Sequence, residues 1–131
     1  MSLLEEYIVE LEKDVKIDQF NIRDVQMKLP AYKHKWVGRL MRQKQQLNIL
    51  YAKKTELRNR IGRKIQETSA YKVSKPAADK AADNHESMID IVSQIDDTKV
   101  VVELLEKAER ILSSMTYDLK NLIEVMKLEI T

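Results

Sequence analysis

Residues 101–126 read VVELLEKAERILSSMTYDLKNLIEVM, and this stretch decides the fold class. Its apolar residues return in alternating steps of four and three, which is the a and d pattern of a heptad repeat on an amphipathic helix. The a and d positions are all apolar: Val101, Leu105, Ala108, Leu112, Met115, Leu119, Leu122 and Met126. The pattern predicts a long helix with a continuous apolar seam.

Further apolar residues lie beside this seam. Leu104, Ile111 and Val125 occupy g positions, and Val102 and Ile123 occupy e positions. A seam of this width favours packing against more than one neighbouring helix. We therefore interpret the eight seam residues as a coiled-coil-like surface for homo-oligomerisation. The alternative is that the seam packs against the N-terminal helices of the same chain.

The composition agrees with an all-α fold built from long amphipathic helices. Gly and Pro occur twice each in 131 residues, too few for a turn-rich β fold, and cysteine is absent, which excludes disulfides and sulfur-ligated zinc. No segment approaches the roughly 18 apolar residues of a membrane-spanning helix. The first residues, MSLLEE, lack the basic region of a signal peptide. A soluble intracellular protein is expected.

The N-terminal half predicts three helices. Ser2 and Glu5 have capping-box spacing and begin a helix that runs to about Asp14. Asp18 can cap a second helix, which meets a boundary or kink at Pro30. A long helix is then expected from Ala31 to about Glu67.

The remaining chain divides into a polar stretch and a helical region. Residues 68–86 contain a Ser-Lys-Pro sequence and mixed Ala, Asp and Lys, which predicts a linker or a frayed helix. The sequence Asp96-Asp97-Thr98 can cap the last helix. We therefore expect residues 1–67 to hold the acidic N-terminal helices and the long basic helix, 68–86 to be a linker, and 87–131 to form the oligomerisation region.

Charge is distributed unevenly along the chain. Residues 31–75 hold thirteen Lys and Arg but only the acids Glu56 and Glu67, a formal charge of +11 in a chain whose total is +2. Residues 1–30 carry −3 and residues 76–131 carry −6. Such a basic block attracts a polyanion, and nucleic acid is the first candidate.

Helical geometry at 100° per residue separates the bases of this block into two groups. Arg42, Lys53, Arg60 and Lys64 form one ridge beside the apolar stripe, and Arg58 lies on the opposite flank near Lys54 and Tyr51. Either the helix loosens near Gly62, or the two arginines face different strands or subunits. Tyr51 and Tyr71 are candidates for stacking on bases, whereas Trp36 fits the core better.

Catalytic and metal-binding chemistry has little support in the sequence. His34 and His85 have no histidine partner at helical spacing, and glycine occurs only at positions 38 and 62, so phosphate-binding glycine loops are absent. Aspartates 96 and 97 are explained by helix capping. We predict neither an enzyme nor a bound metal or cofactor.

Four short segments resemble the UvsY family of recombination mediators from T-even and related phages. The segments are Leu11–Asp18, Pro30–Trp36, Lys53–Ile61 and Tyr117–Glu124. The third resembles the stretch ending in the family's Lys-Ala-Arg-Leu signature and maps Arg58 and Arg60 onto its basic positions. Asn59 stands where the signature has Ala, and Arg63-Lys64 replaces the aromatic pair that often follows it.

The resemblance implies a function and a set of partners. It implies binding of single-stranded DNA, a ring-like homo-oligomer, and loading of a RecA-like phage recombinase onto DNA coated by single-strand-binding protein, in the cytoplasm of an infected bacterium. The candidate DNA-binding residues are Arg58, Arg60, Arg42, Lys53, Lys54, Arg63, Lys64 and Tyr51.

Two other functions compete with this one. A helical scaffold could use the basic block to bind an acidic protein surface. Binding to an anionic membrane surface is weaker as an alternative, since the basic helix lacks bulky exposed hydrophobes.

Overall fold

The computed structural model describes residues 1–130, in which the regular structure is entirely α-helical. The helices are α1 (Leu3–Asp14), α2 (Ile22–Thr68), α3 (Lys75–Asp83) and α4 (Met88–Ile130). The all-α prediction is confirmed. Thr131, the last residue of the predicted segment 87–131, lies outside the described residues.

The first helix begins and ends where the sequence predicted. The Ser2 hydroxyl accepts a hydrogen bond from the Glu5 N–H at 3.2 Å, and the helix ends at Asp14. Asp18 does not cap α2 directly, because α2 begins at Ile22. Its carboxylate accepts the N–H groups of Phe20 and Asn21 at 2.7 and 3.0 Å and so stabilises the turn before the helix.

Helix α2 runs without interruption through Pro30, so the boundary predicted there is wrong. Proline removes one backbone hydrogen bond, but Val25, Leu29 and Trp36 are all buried on the same side of the helix. Tertiary packing of that face keeps the chain helical. The helix also continues through Gly62 to Thr68, so no loosening occurs at that glycine.

Helix α4 begins at Met88, eight residues before the predicted cap at Asp96. Met88 and Ile95 are both buried, so the short apolar run and the heptad region belong to one helix. Thr98 donates its hydroxyl to the Gln94 carbonyl at 2.8 Å, which is a bond made inside a helix and not at its start.

The segment 68–86, predicted as a linker or frayed helix, contains α3. Ser74 caps this helix by accepting the Ala77 N–H at 3.3 Å, and Pro76 lies in the first turn, where it costs no hydrogen bond. Ala78 and Ala82 are buried. Small side chains four residues apart give α3 one face that can pack closely.

The chain forms two compact units: Met1–Gln43 together with the chain from Val100 onward, and Lys44–Lys99. This grouping differs from the predicted segments 1–67, 68–86 and 87–131. It separates the two halves of the basic block, because Lys33, Lys35, Arg39 and Arg42 fall in the first unit and the other bases in the second.

The core of the first unit joins α1, the N-terminal half of α2 and the C-terminal part of α4. Trp36 and Leu40 of α2 pack in one cluster with Leu11 of α1. The same cluster contains six of the eight seam residues, Val101, Leu105, Ala108, Leu112, Met115 and Leu119. Leu122 and Met126 are half-buried. Over residues 101–119 the seam therefore packs inside a single chain, which is the alternative arrangement described above.

In the second unit, α3 lies against the C-terminal part of α2. Gly62 of α2 is buried, and a Cβ atom added there would stand 3.7 Å from the Asp79 side chain and 3.8 Å from the Ala78 carbonyl. Leu50, Met88 and Ile95 supply the larger buried side chains of this unit. The close approach at Gly62 places α3 directly beside the arginines of α2.

Candidate nucleic-acid interface

Two bases of the block are neutralised within the first unit. Lys35 lies 3.3 Å from the Glu10 carboxylate and also pairs with Asp14, and Arg39 donates to Glu10. The hydrogen bond from Arg39 holds the pKa of Glu10 below its ordinary value of 4.5, although burial acts in the opposite direction. These cations hold α1 against α2, so they are not available as a DNA surface.

Trp36 belongs to the same internal cluster. Its indole N–H donates to Asp14 at 2.9 Å, and its ring meets Tyr7 edge to face at 5.7 Å between centroids. The guanidinium of Arg39 lies 4.8 Å from the Trp36 ring. Trp36 is a buried core residue, as its position on the apolar stripe indicated.

The second unit keeps most of its positive charge unpaired. Within residues 1–130, Lys53, Lys54, Arg63 and Lys64 make no ion pair, and Lys53, Arg63 and Lys64 are exposed. These four bases outnumber the two acids of the same stretch, Glu56 and Glu67, and this excess raises the local positive potential. This part of α2 is the strongest candidate for an anion-binding surface.

Arg58 is held by Asp83, the last residue of α3. Nη2 of Arg58 donates to one Asp83 carboxylate oxygen at 3.0 Å, and Nε lies 2.8 Å from the other oxygen as an ion-pair contact without hydrogen-bond geometry. The Arg58 and Asp83 side chains remain 40% and 43% exposed, so the pair stands at the surface. Asp83 thus occupies the position that a phosphate would take beside Arg58.

Arg60 makes a looser pair within α2. It lies 3.1 Å from Glu56, and both side chains are well exposed, at 65% and 70%. Ion pairs of this kind contribute little to stability and exchange readily with other partners. Arg60 and Lys64 also line a cavity together with His85, on a different side of α2 from the Arg58 contact.

The structure places the other predicted site residues in different surroundings. Lys99 of α4 lies 5.6 Å from the centre of the Tyr51 ring, and a hydrogen bond to the Tyr51 hydroxyl raises the pKa of Lys99. Tyr51 is thus partly covered, whereas Tyr71 is 84% exposed. Arg42 belongs to the first unit, where its guanidinium lies along Gly38. The structure therefore brings Arg60 and Lys64 together but separates Arg58 and Arg42 from them.

The sequence analysis did not identify Asp83, His85 or Lys99 as part of this surface. Asp83 and Lys99 contact α2, and His85 lines a cavity with it, because the chain folds back through residues 68–86, which were predicted to be a linker or a frayed helix. The available signal was the Ser-Lys-Pro sequence at 74–76, which is a cap followed by a first-turn proline. Alanines 78 and 82 would then have indicated the packed face.

These features define a class of protein: an all-helical protein with an exposed basic surface on one long helix and no clustered metal ligands among residues 1–130. A comparison with protein families gives the particular family. The family model described as "Recombination, repair and ssDNA binding protein UvsY" matches residues 10–130. The chain belongs to the UvsY family, as the four short segments indicated.

The remaining comparisons add no relative. No curated protein and no solved structure matches the chain. Within the described residues, none of the helices combines the length and apolar character needed to cross a bilayer.

Proposed function

We propose that this protein is a non-enzymatic recombination mediator that binds single-stranded DNA without sequence preference. The basic surface of α2 between Lys53 and Lys64 binds the sugar-phosphate backbone. Arg58 and Arg60 make the principal contacts, supported by Lys53, Lys54, Arg63 and Lys64. Family membership supports this function, since the family's description names single-stranded DNA binding and recombination.

One observation carries the site assignment. Lys35 and Arg39 of the first unit join α1 to α2, whereas Lys53, Arg63 and Lys64 of the second unit are exposed and form no ion pair within residues 1–130. Arg58 also donates from Nη2 to a carboxylate oxygen of Asp83 at 3.0 Å, so its guanidinium already holds an oxyanion at this surface. A backbone phosphate has the same charge and similar donor requirements.

As a mediator, the protein would load a RecA-like recombinase onto DNA coated by single-strand-binding protein. We propose that it acts as a homo-oligomer closed into a ring. The oligomer contact would involve the outward side chains of α4, because most of the seam is buried within the chain. Val125, Leu128 and Ile130 are exposed at the end of α4, next to half-buried Leu122 and Met126.

The binding site is tested by fluorescence anisotropy with a labelled oligothymidylate over a series of salt concentrations. Each phosphate contact on a single strand adds roughly 0.7 to the slope of log affinity against log salt, so Arg58→Ala with Arg60→Ala should lower the slope by about 1.4. The matched control is Arg23→Ala with Arg110→Ala, two exposed arginines of the first unit. Equal losses in the two double variants would refute the assignment.

The scaffold function remains a second candidate, favoured by one contact. Asp83 on Arg58 shows that the basic surface binds a carboxylate. A scaffold predicts an oligomer with no affinity for the oligonucleotide at any salt concentration, so the same titration distinguishes the two functions.

A further inference from the structure

The cavity beside Arg60 combines two of the predicted DNA-binding residues, Arg60 and Lys64, with residues of no predicted role such as His85. It has a volume of about 380 Å³, within the range of roughly 300–1,000 Å³ usual for small-ligand sites. One wall is α2, and the other is the turn between α3 and α4. Its lining consists of Arg60, Ile61, Lys64, Ile65, Thr68, His85 and Ser87.

The α2 wall has a cationic and an apolar part. Arg60 and Lys64 are four residues apart and lie on one side, and Ile61 and Ile65 follow the same spacing beside them. None of the lining residues in the described chain is acidic. The wall therefore offers positive charge to a phosphate and an apolar surface to the adjoining sugar or base.

The opposite wall is held by hydrogen bonds within the turn. The His85 N–H donates to the Ala82 carbonyl at 3.0 Å, and the Met88 N–H donates to the His85 carbonyl at 3.0 Å. The Ser87 N–H donates to Nδ1 of the His85 ring at 3.1 Å. Because Nδ1 is an acceptor, the ring proton resides on Nε2, which makes His85 a hydrogen-bond donor at that atom.

We propose that this cavity is a phosphate subsite, in which Arg60, Lys64 and His85 together hold one backbone phosphate of single-stranded DNA. This inference rests on the proposed function and adds the turn between α3 and α4 to the binding surface. The sugar next to that phosphate contacts Ile61 and Ile65. Glu56 releases Arg60 when the phosphate binds, since their pair is exposed and weak.

The decisive test compares the DNA affinity of two variants, His85→Asp and His34→Asp. Each replaces a histidine by a carboxylate side chain. Aspartate at position 85 keeps an acceptor for the Ser87 N–H, as Asp side chains do two residues before an N–H, but brings negative charge into the cavity. His34 is exposed on α2 in the first unit, so His34→Asp changes the net charge equally. Both variants are titrated with labelled oligothymidylate, and circular dichroism confirms that each is folded.

We expect His85→Asp to weaken binding about tenfold or more, the size typical of a lost charge-assisted hydrogen bond plus repulsion, and His34→Asp to weaken it much less. When Lys64 is already replaced by alanine, the loss of DNA affinity caused by His85→Asp should be smaller. The reason is that the Lys64 and His85 side chains bind the same phosphate. His85→Asn serves as a milder variant, with a loss of about threefold expected for a weaker neutral donor.

Three results would overturn the proposed subsite. Equal losses for His85→Asp and His34→Asp would overturn the subsite and leave the proposed function intact. Additive effects of Lys64→Ala and His85→Asp would also overturn it, since they would exclude a shared phosphate. Absence of binding by the unaltered protein would refute the proposed function and the subsite with it.

Discussion

At the residue scale, the Glu10 carboxylate shows how a few charges join distant parts of the sequence. It pairs with Lys35 and Arg39, which lie 25 and 29 positions further along the chain. These pairs remove two bases from the apparent anion-binding block and use them to fix α1 on α2. A charge count along the sequence cannot distinguish such internal cations from exposed ones.

Stability of the first unit should therefore depend on pH through Glu10. Its pKa is lowered in the folded protein, so its contribution is present above the ordinary value of 4.5 and is lost as pH falls through the lower folded pKa. Glu10→Gln should lower the free energy of unfolding at pH 7 by up to about 1 kcal/mol. Urea unfolding from pH 7 to pH 3 measures this difference, which should shrink below pH 4.5.

Exposed Glu12 provides the control for this experiment, since it takes part in none of the ion pairs of α1 with α2. Glu12→Gln should leave stability nearly unchanged at every pH. A Glu10→Gln deficit that stayed constant down to pH 3 would contradict the linkage.

Asp83 gives a second prediction at the residue scale. It pairs with Arg58, for which the proposed function predicts competition with phosphate, so Asp83→Asn should strengthen oligothymidylate binding by a few-fold, consistent with about 1 kcal/mol or less for an exposed pair. Asp97→Asn makes the same charge change on α4 of the same unit, at a residue that is not the ion-pair partner of Arg58. A gain of equal size in both variants would show only a general charge effect.

At the element scale, α4 packs six of its eight heptad-seam residues into the core of its own chain. Leu112 is 1% exposed and packs in the cluster that unites α1, α2 and α4. Leu112→Ala should therefore lower the free energy of unfolding by about 2–5 kcal/mol, as expected for a cavity in a core. Denaturant unfolding monitored by circular dichroism measures the loss.

Leu128, which is 75% exposed on the same helix, is the matched leucine. Leu128→Ala should leave unfolding of the single chain within about 0.5 kcal/mol of the unaltered protein. If Leu112→Ala dissociated an oligomer while leaving the chain equally stable, the intramolecular role of the seam would be wrong.

Element types were predictable from the sequence, but element ends and partners were not. Residues 101–126 carry a periodicity strong enough to predict a helix, and Ser2 marks the start of α1 correctly. The helix boundary predicted at Pro30 and the helix start predicted near Asp96 were wrong. Local signals for stopping or capping a helix are outweighed when the flanking apolar residues are buried. The same heptad pattern fits a neighbouring helix in the chain or in another copy, so periodicity alone leaves the partner undetermined.

The candidate site was predictable in part. The bases near Arg58 and Arg60 stood out by charge, and the family resemblance indicated the pair. Asp83 and His85 could not be associated with them, because both depend on a return of the chain through α3 that has only weak local signals. His85 and Lys64 line the same cavity through tertiary structure, which no sequence period indicates.

At the scale of the whole molecule, oligomerisation should depend on the outer face of α4. The exposed end of α4 carries Val125 and Leu128, whereas the seam up to Leu119 is buried. Val125→Asp with Leu128→Asp should reduce the mass measured by sedimentation equilibrium while the helical circular dichroism signal is retained. Glu103→Ala with Glu109→Ala, at two exposed positions on the same helix, serves as the control.

If the mass of the variant with Val125→Asp and Leu128→Asp were unaltered, the oligomer contact would lie elsewhere in the molecule. Loss of the helical signal together with the mass would mean that these residues support the fold of the chain, in conflict with their exposure.

The central claim is that the basic surface of α2 in the second unit binds single-stranded DNA through phosphate contacts. The most direct measurement is the salt dependence of oligothymidylate binding for the unaltered protein, the Arg58→Ala and Arg60→Ala double variant, and the Arg23→Ala and Arg110→Ala control. We predict steep salt dependence, with a slope lowered by about 1.4 in the first double variant alone. Affinity that is independent of salt, or equal losses in both double variants, would contradict it.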